Sequence, residues 1–224
     1  MFINFKNHKV DNLVKGNIIQ FFLYRLAFVI AHFFKFLKIT PNQISFSSFF
    51  LFLVSCYFLY NNQLTLFLVL WYISHFLDYC DGTLARLTGK TTKILLRTDH
   101  FLDLIRMIIT FLFIAIYYKS DYIYILTYLF ITTFFLQQVL SLEYDAKKTS
   151  NLKFIHNIKV KRTNIIFKHF YNVFFVLGGH TLYIIGLIFI NEKSAMIILL
   201  YMTLLNVKNF YHPLNFLINN KRKK

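Results

Sequence analysis

Two pairs of aspartates are the residues best placed to do chemistry: Asp78 and Asp81, three apart, and Asp99 and Asp103, four apart. They make up four of only nine acidic residues in 224, and they fall at the ends of two predicted membrane spans. A carboxylate there loses hydration, which is costly unless a cation compensates it. At about 100° per helical residue, Asp78, Asp81, Gly82, Ala85 and Arg86 share one arc, and Asp99, Asp103 and Arg106 share a narrower one. The connection between the two segments is short, so they form an antiparallel hairpin whose acidic faces can meet. Four facing carboxylates repel, and one or two divalent cations would remove the repulsion. An oxygen-only ligand set favours Mg²⁺ or Mn²⁺ over zinc. Such ions complete their shells with substrate phosphates, for which Gly82 and Ala85 leave space and Arg86 supplies a guanidinium. The competing reading is structural, with Arg86, Arg97 and Arg106 holding the acids as ion pairs.

The chain that must position these residues is 57% hydrophobic and 20% aromatic, with six Gly and two Pro. Several stretches of about 18 or more residues carry almost no charge and read as transmembrane helices. The composition predicts an all-α integral membrane protein with six spans, at roughly 43–60, 64–87, 98–118, 122–142, 170–190 and 194–211. Residues 17–38 are apolar but interrupted by Arg25, His32, Lys35 and Lys38. That pattern predicts an N-terminal amphipathic helix lying at the interface, with a seventh span as the competing reading. The expected division is an interfacial segment 1–42, a six-helix domain 43–211 and a basic tail 212–224. The polar first residues (Lys6, His8, Lys9, Asp11) form no cleavable signal peptide.

Twenty-two of the 25 Lys and Arg fall in segments that alternate onto one side, against Lys119 and Lys193 on the other. By the positive-inside rule this places both termini and the acidic cluster on the cytoplasmic side. The same distribution argues that the net charge of +16 faces lipid headgroups rather than nucleic acid. Cys56 and Cys80 lie in apolar segments without metal-ligand spacing and read as small packing residues.

The run Asp78-Tyr79-Cys80-Asp81-Gly82-Thr83-Leu84-Ala85-Arg86, followed by Asp99-His100-Phe101-Leu102-Asp103, resembles the signature of the CDP-alcohol phosphatidyltransferases. That signature has two Asp three apart, then Gly, then Ala-Arg, then a Gly, then two Asp four apart. The sequence departs from it at the second glycine, where it has Leu95. A further likeness is Thr40-Pro41-Asn42-Gln43-Ile44-Ser45, similar to the Pro-Asn element that opens the first span in many members. Physically, Thr40 can cap a helix whose first position is Pro41.

The resemblance implies that Asp78, Asp81 and Asp99 bind metal and that Asp103 shares the site as general base. It implies that Gly82 and Ala85 make room for the CDP moiety, that Arg86 orients the diphosphate, and that Thr92 and Asn42 reach the nucleotide. A plain loop threonine and an ordinary helix start are the competing readings for those last two. The implied reaction transfers a phosphoalcohol group from a CDP-alcohol to an alcohol hydroxyl, releasing CMP, in phospholipid synthesis at a bacterial cytoplasmic membrane. The donor is expected to be CDP-diacylglycerol, with a soluble CDP-alcohol and a lipid acceptor as the reverse arrangement. A homodimer is expected by analogy. Two other classes compete: a divalent-cation transporter or channel, and a catalytically weakened relative, which Leu95 suggests. His75 and His180 read as packing residues before ligands, and the basic stretch Lys147–Lys168 reads as a headgroup-facing loop before an acceptor site.

Overall fold

The computed structural model describes residues 18–90, 93–151 and 181–221, which are almost wholly helical with no strand among them. Seven helices follow in order: α1 (Ile18–Phe36), α2 (Pro41–Tyr60), α3 (Leu64–Thr88), α4 (Lys93–Tyr118), α5 (Asp121–Asn151), α6 (Thr181–Ile188) and α7 (Glu192–Lys221). Thr40 caps α2 as its sequence predicts. Its hydroxyl accepts from the Gln43 amide at 3.4 Å while Gln43 Oε1 accepts from the Thr40 amide at 2.8 Å, a reciprocal capping box with Pro41 in the first turn. Helix α3 ends at Gly89, whose φ of +68° suits glycine, and the Lys90 amide closes the cap onto the Ala85 carbonyl at 3.0 Å.

The described residues divide into two compact units, the first holding residues up to 117 together with 181–183, the second 118–151 and 184–221. In the first unit, the small residues Ala27 and Ala31 let α1 approach α3 closely at Cys80 and Leu84, with Ile44 of α2 joining the cluster. Tyr24 of α1 meets Tyr79 of α3 edge to face at 4.9 Å. Helices α2 and α3 exchange hydroxyl–carbonyl bonds: Ser48 donates to the Ser74 carbonyl at 3.0 Å, and Ser74 to the Ser48 carbonyl at 2.8 Å. Helices α3 and α4 run antiparallel, tied where Trp71 Nε1 donates to Thr110 Oγ1 at 3.1 Å. Cys56 and Cys80 are both free and buried, as packing residues should be.

In the second unit, α5 and α7 pack together around Phe130, Leu199 and Met202. Buried Asn206 donates to Thr133 Oγ1 at 3.4 Å. The Tyr118 hydroxyl donates to the Ile188 carbonyl at the end of α6 at 2.5 Å.

Large apolar side chains cover the outer faces of both units, among them Phe46 and Phe50 on α2, Tyr128 on α5 and Ile197 on α7. So much exposed apolar surface suits lipid rather than water, and the fold is that of an all-α integral membrane protein. Among the described residues five segments are long and apolar enough to cross a bilayer: Ile19–Phe36, Pro41–Tyr60, Phe101–Tyr118, Asp121–Leu140 and Glu192–Asn215. The expected count of six is not confirmed, and the membership among the described helices differs. Helix α3 has the length, at 25 residues, but Asp78, Asp81 and Arg86 make its final turns polar. Conversely α1, expected at the interface, meets the criterion. Its outward residues Phe22, Leu26, Phe33 and Phe36 are apolar, and Arg25 is drawn over the Phe21 ring at 5.0 Å. The expected span at 170–190 lies mostly outside the described residues.

The close approach of α1 to α3 has a direct test. Ala27→Leu forces a larger side chain into a fully buried position. It should destabilise the folded chain by about 1–3 kcal/mol, read as a lower melting temperature in detergent, while the same change at exposed Val29 should have little effect.

Candidate active site

Arg106 is the centre of the polar cluster in the first unit. It projects from α4 with its side chain only 5% exposed, and its Nη1 lies 2.9 Å from Asp78 Oδ1 on α3 and 3.8 Å from Asp103 Oδ1 on its own helix. Its Nη2 donates to Ser48 Oγ on α2 at 2.9 Å, and the guanidinium lies over the Phe52 ring at 5.8 Å. Ser48 spends its own proton on the Ser74 carbonyl, so towards Arg106 it can only accept. One guanidinium thus joins three helices. Its Nη1 and Nε have no directed hydrogen bond, so the contact with Asp78 is a close charge pair without hydrogen-bond alignment.

Asp81, one turn beyond Asp78, is turned to a different partner. It is 3% exposed, and Ser45 Oγ of α2 donates to its Oδ2 at 2.5 Å, a short charge-assisted bond. Helix α2 opens at the Pro41 cap, so Asn42 stands exposed one turn before Ser45. On α3, Arg86 folds back across Gly82. Its Nη2 donates to Thr83 Oγ1 at 3.1 Å, its guanidinium lies 5.7 Å from the centre of the Tyr24 ring on α1, and a Cβ on Gly82 would come 3.4 Å from its Nη1. The glycine makes the seat on which that guanidinium rests. Ala85 is half-buried beside it.

The predicted arc on α3 is therefore present, but its members fan out towards three neighbours. Asp78 faces α4, Asp81 faces α2, and Arg86 leans towards α1. Asp103 is 46% exposed, the most open of the three signature aspartates with described side chains; Asp78 is 19% exposed. Asp99 sits on the first turns of α4, where the backbone alone is described, and Leu95 likewise; Thr92, His180 and residues 152–168 of the basic loop lie outside the described residues. His75 stacks on Trp71 with ring centroids 5.2 Å apart and meets Tyr79 edge-on, a packing role.

Sequence reasoning did not single out Ser45 or Ser48. The available signal was a group of three serines, Ser45, Ser47 and Ser48, at the start of a mostly apolar helix. Arg106 stood out in the sequence on the arc of Asp99 and Asp103 and as one of three arginines that could hold the acids as ion pairs, which it does at Asp78; its reach to Ser48 is a tertiary fact.

The donor chemistry of these carboxylates suits a hard divalent cation, but their placement does not enclose one. Among the described residues no three His, Cys, Asp or Glu side chains converge on a common point; Asp78 lies against Arg106 and Asp81 against Ser45.

Comparison with known families gives a match to the family model described as CDP-alcohol phosphatidyltransferase, over residues 38–205. The matched stretch takes in all four aspartates, Gly82, Ala85 and Arg86. No curated protein matches the chain.

Two substitutions separate the roles of Ser45 and Gly82. Ser45→Ala removes a hydrogen bond to a buried charged group and should cost about 1.5–3 kcal/mol. Gly82→Ala meets only the movable end of Arg86 and should stay within about 0.5 kcal/mol of the parent. Thermal melts of the two purified variants in one detergent check this ordering.

Proposed function

Because this chain belongs to the CDP-alcohol phosphatidyltransferase family, we propose that it transfers a phosphatidyl group from CDP-diacylglycerol to the hydroxyl of a small polar alcohol, releasing CMP. The observation that carries the reading is that the family match encloses the whole acidic constellation. Among the three signature aspartates with described side chains the most accessible is Asp103, the residue to which the reaction assigns proton transfer.

In the proposed reaction, Asp103 accepts the proton of the acceptor hydroxyl. The acceptor oxygen then attacks the β-phosphorus of the donor in line. The new O–P bond forms as the bond from that phosphorus to the bridging oxygen breaks, and CMP leaves with the bridging oxygen and its electron pair. Arg86 meets the diphosphate, for which its guanidinium geometry is suited. Gly82 and Ala85 keep that flank of α3 low enough for a ligand to approach, and Asn42 and Thr92 are assigned to the nucleotide. Ser45 fixes the orientation of Asp81. Family members generally use divalent metals. Mg²⁺ or Mn²⁺ held by Asp78, Asp81, Asp99 and Asp103 would supply charge neutralisation on the diphosphate. The excess of Lys and Arg on the flanking segments supports a site opening towards the cytoplasm, and the chain is expected to act as a homodimer.

The test uses membranes containing the full chain, labelled CDP-diacylglycerol, Mg²⁺ or Mn²⁺, and a panel of glycerol 3-phosphate, serine, inositol, inositol phosphate and choline. CMP release should appear with one acceptor, and Asp103→Asn should lower it by about 10²-fold or more. If no acceptor supports metal-dependent release, and soluble CDP-alcohols with diacylglycerol also fail, the transferase reading is wrong.

A further inference from the structure

Arg86 is held from two directions, and neither hold removes what an anion would need from it. On its edge, Nη2 donates to Thr83 Oγ1 at 3.1 Å. Thr83 is buried and its own proton goes to the Tyr79 carbonyl at 2.8 Å, so towards Arg86 it only accepts. On its face stands the Tyr24 ring of α1, with 5.7 Å from the guanidinium carbon to the ring centre, inside the range of a cation–π contact. A guanidinium binds oxyanions through its in-plane N–H groups and aromatic rings through its face, so the ring and an anion do not compete. Among the described residues no carboxylate pairs with Arg86, and its side chain is exposed. The ring itself is fixed in place. Tyr24 is half-buried and meets Tyr79 edge to face at 4.9 Å, one turn before Ala27, which closes on Cys80 and Leu84. This support comes from α1, ahead of the stretch matched to the family, which begins at residue 38.

We propose that Tyr24 is a positioning residue for the donor: its ring holds the face of Arg86 so that the guanidinium edge is presented to the diphosphate above Gly82. The inference rests on the transferase reading above, in which Arg86 meets the diphosphate, and deepens it by making α1 part of the donor site. An unsupported arginine samples many rotamers, and a ligand that fixes it loses affinity to that ordering. With Tyr24 beneath it and Thr83 at its edge, Arg86 is ordered before the donor arrives.

The experiment uses the full chain purified in detergent, with two readouts: CMP release with the acceptor that supports it, and the rise in melting temperature caused by CDP-diacylglycerol without acceptor. Tyr24→Phe keeps the ring and should leave KM for CDP-diacylglycerol within about twofold of the parent. Tyr24→Leu keeps apolar bulk but removes the π face. It should raise that KM by about threefold or more while kcat stays within about twofold, and it should shrink the melting shift. Pentafluorophenylalanine at position 24 packs much as phenylalanine does but lacks the negative face, so it should reproduce the effect of Tyr24→Leu; should Tyr24→Leu not fold, this ring decides alone. Values for both replacements equal to those of Tyr24→Phe overturn the role of Tyr24 and leave the transferase reading intact. An effect of Tyr24→Leu that the fluorinated ring does not share assigns Tyr24 to packing and overturns the proposal as well. A parent that gives the melting shift but no CMP release with any acceptor overturns the transferase reading, and the shift alone then decides the role of Tyr24. A parent that gives neither overturns both.

Discussion

The first unit is organised around one buried charge. An arginine in the apolar stretch of α4 is expensive to place there, and it is tolerated because α2 offers Ser48 and α3 offers Asp78. Each neighbour is fixed in turn: Ser48 by Ser74 across the helix interface, and Asp78 by its position one turn before Asp81. Removing one partner of a buried pair strands the other, at about 3–5 kcal/mol. Asp78 is therefore a structural residue of this unit, whatever chemistry the cluster performs.

Much of the architecture was legible in the sequence because helices in lipid declare themselves by length and apolarity. The predicted stretch 43–60 is α2 at Pro41–Tyr60, and 64–87 is α3 at Leu64–Thr88. Helices α4, α5 and α7 extend beyond their predicted stretches, since hydropathy marks the apolar part of a helix while the backbone continues into polar turns such as Leu140–Asn151. Helix α1 was harder to assign. Four basic or titratable interruptions suggested an interfacial helix, but its exposed side is a row of Phe, Leu and Val. The acidic constellation could be read from residue type and spacing. Which carboxylate meets which partner could not, because a serine in an apolar helix says nothing about the direction it faces.

The family match begins at residue 38, yet part of what shapes the signature helix comes from before that point. Tyr24 lies beneath the guanidinium of Arg86 and against Tyr79, and Ala27 and Ala31 close on Cys80 and Leu84. Cation–π contacts of this kind are worth about 0.5–2 kcal/mol, enough to bias where Arg86 rests. Helix α1 thus braces the side of α3 opposite to the one that Arg106 engages from α4.

The reciprocal Ser48–Ser74 pair also limits how this unit can move. Two hydroxyl–carbonyl bonds running in opposite directions act as a dowel: axial sliding of α2 past α3 by even one residue would break both and swing Ser45 away from Asp81. Shear between these helices, the small sliding by which many packed helices adjust, is closed to them. The two helices are joined as a single plate bearing Asp78, Asp81 and Arg86, while α4 and α1 are held against it by separate side-chain contacts at Arg106, Trp71 and Tyr24.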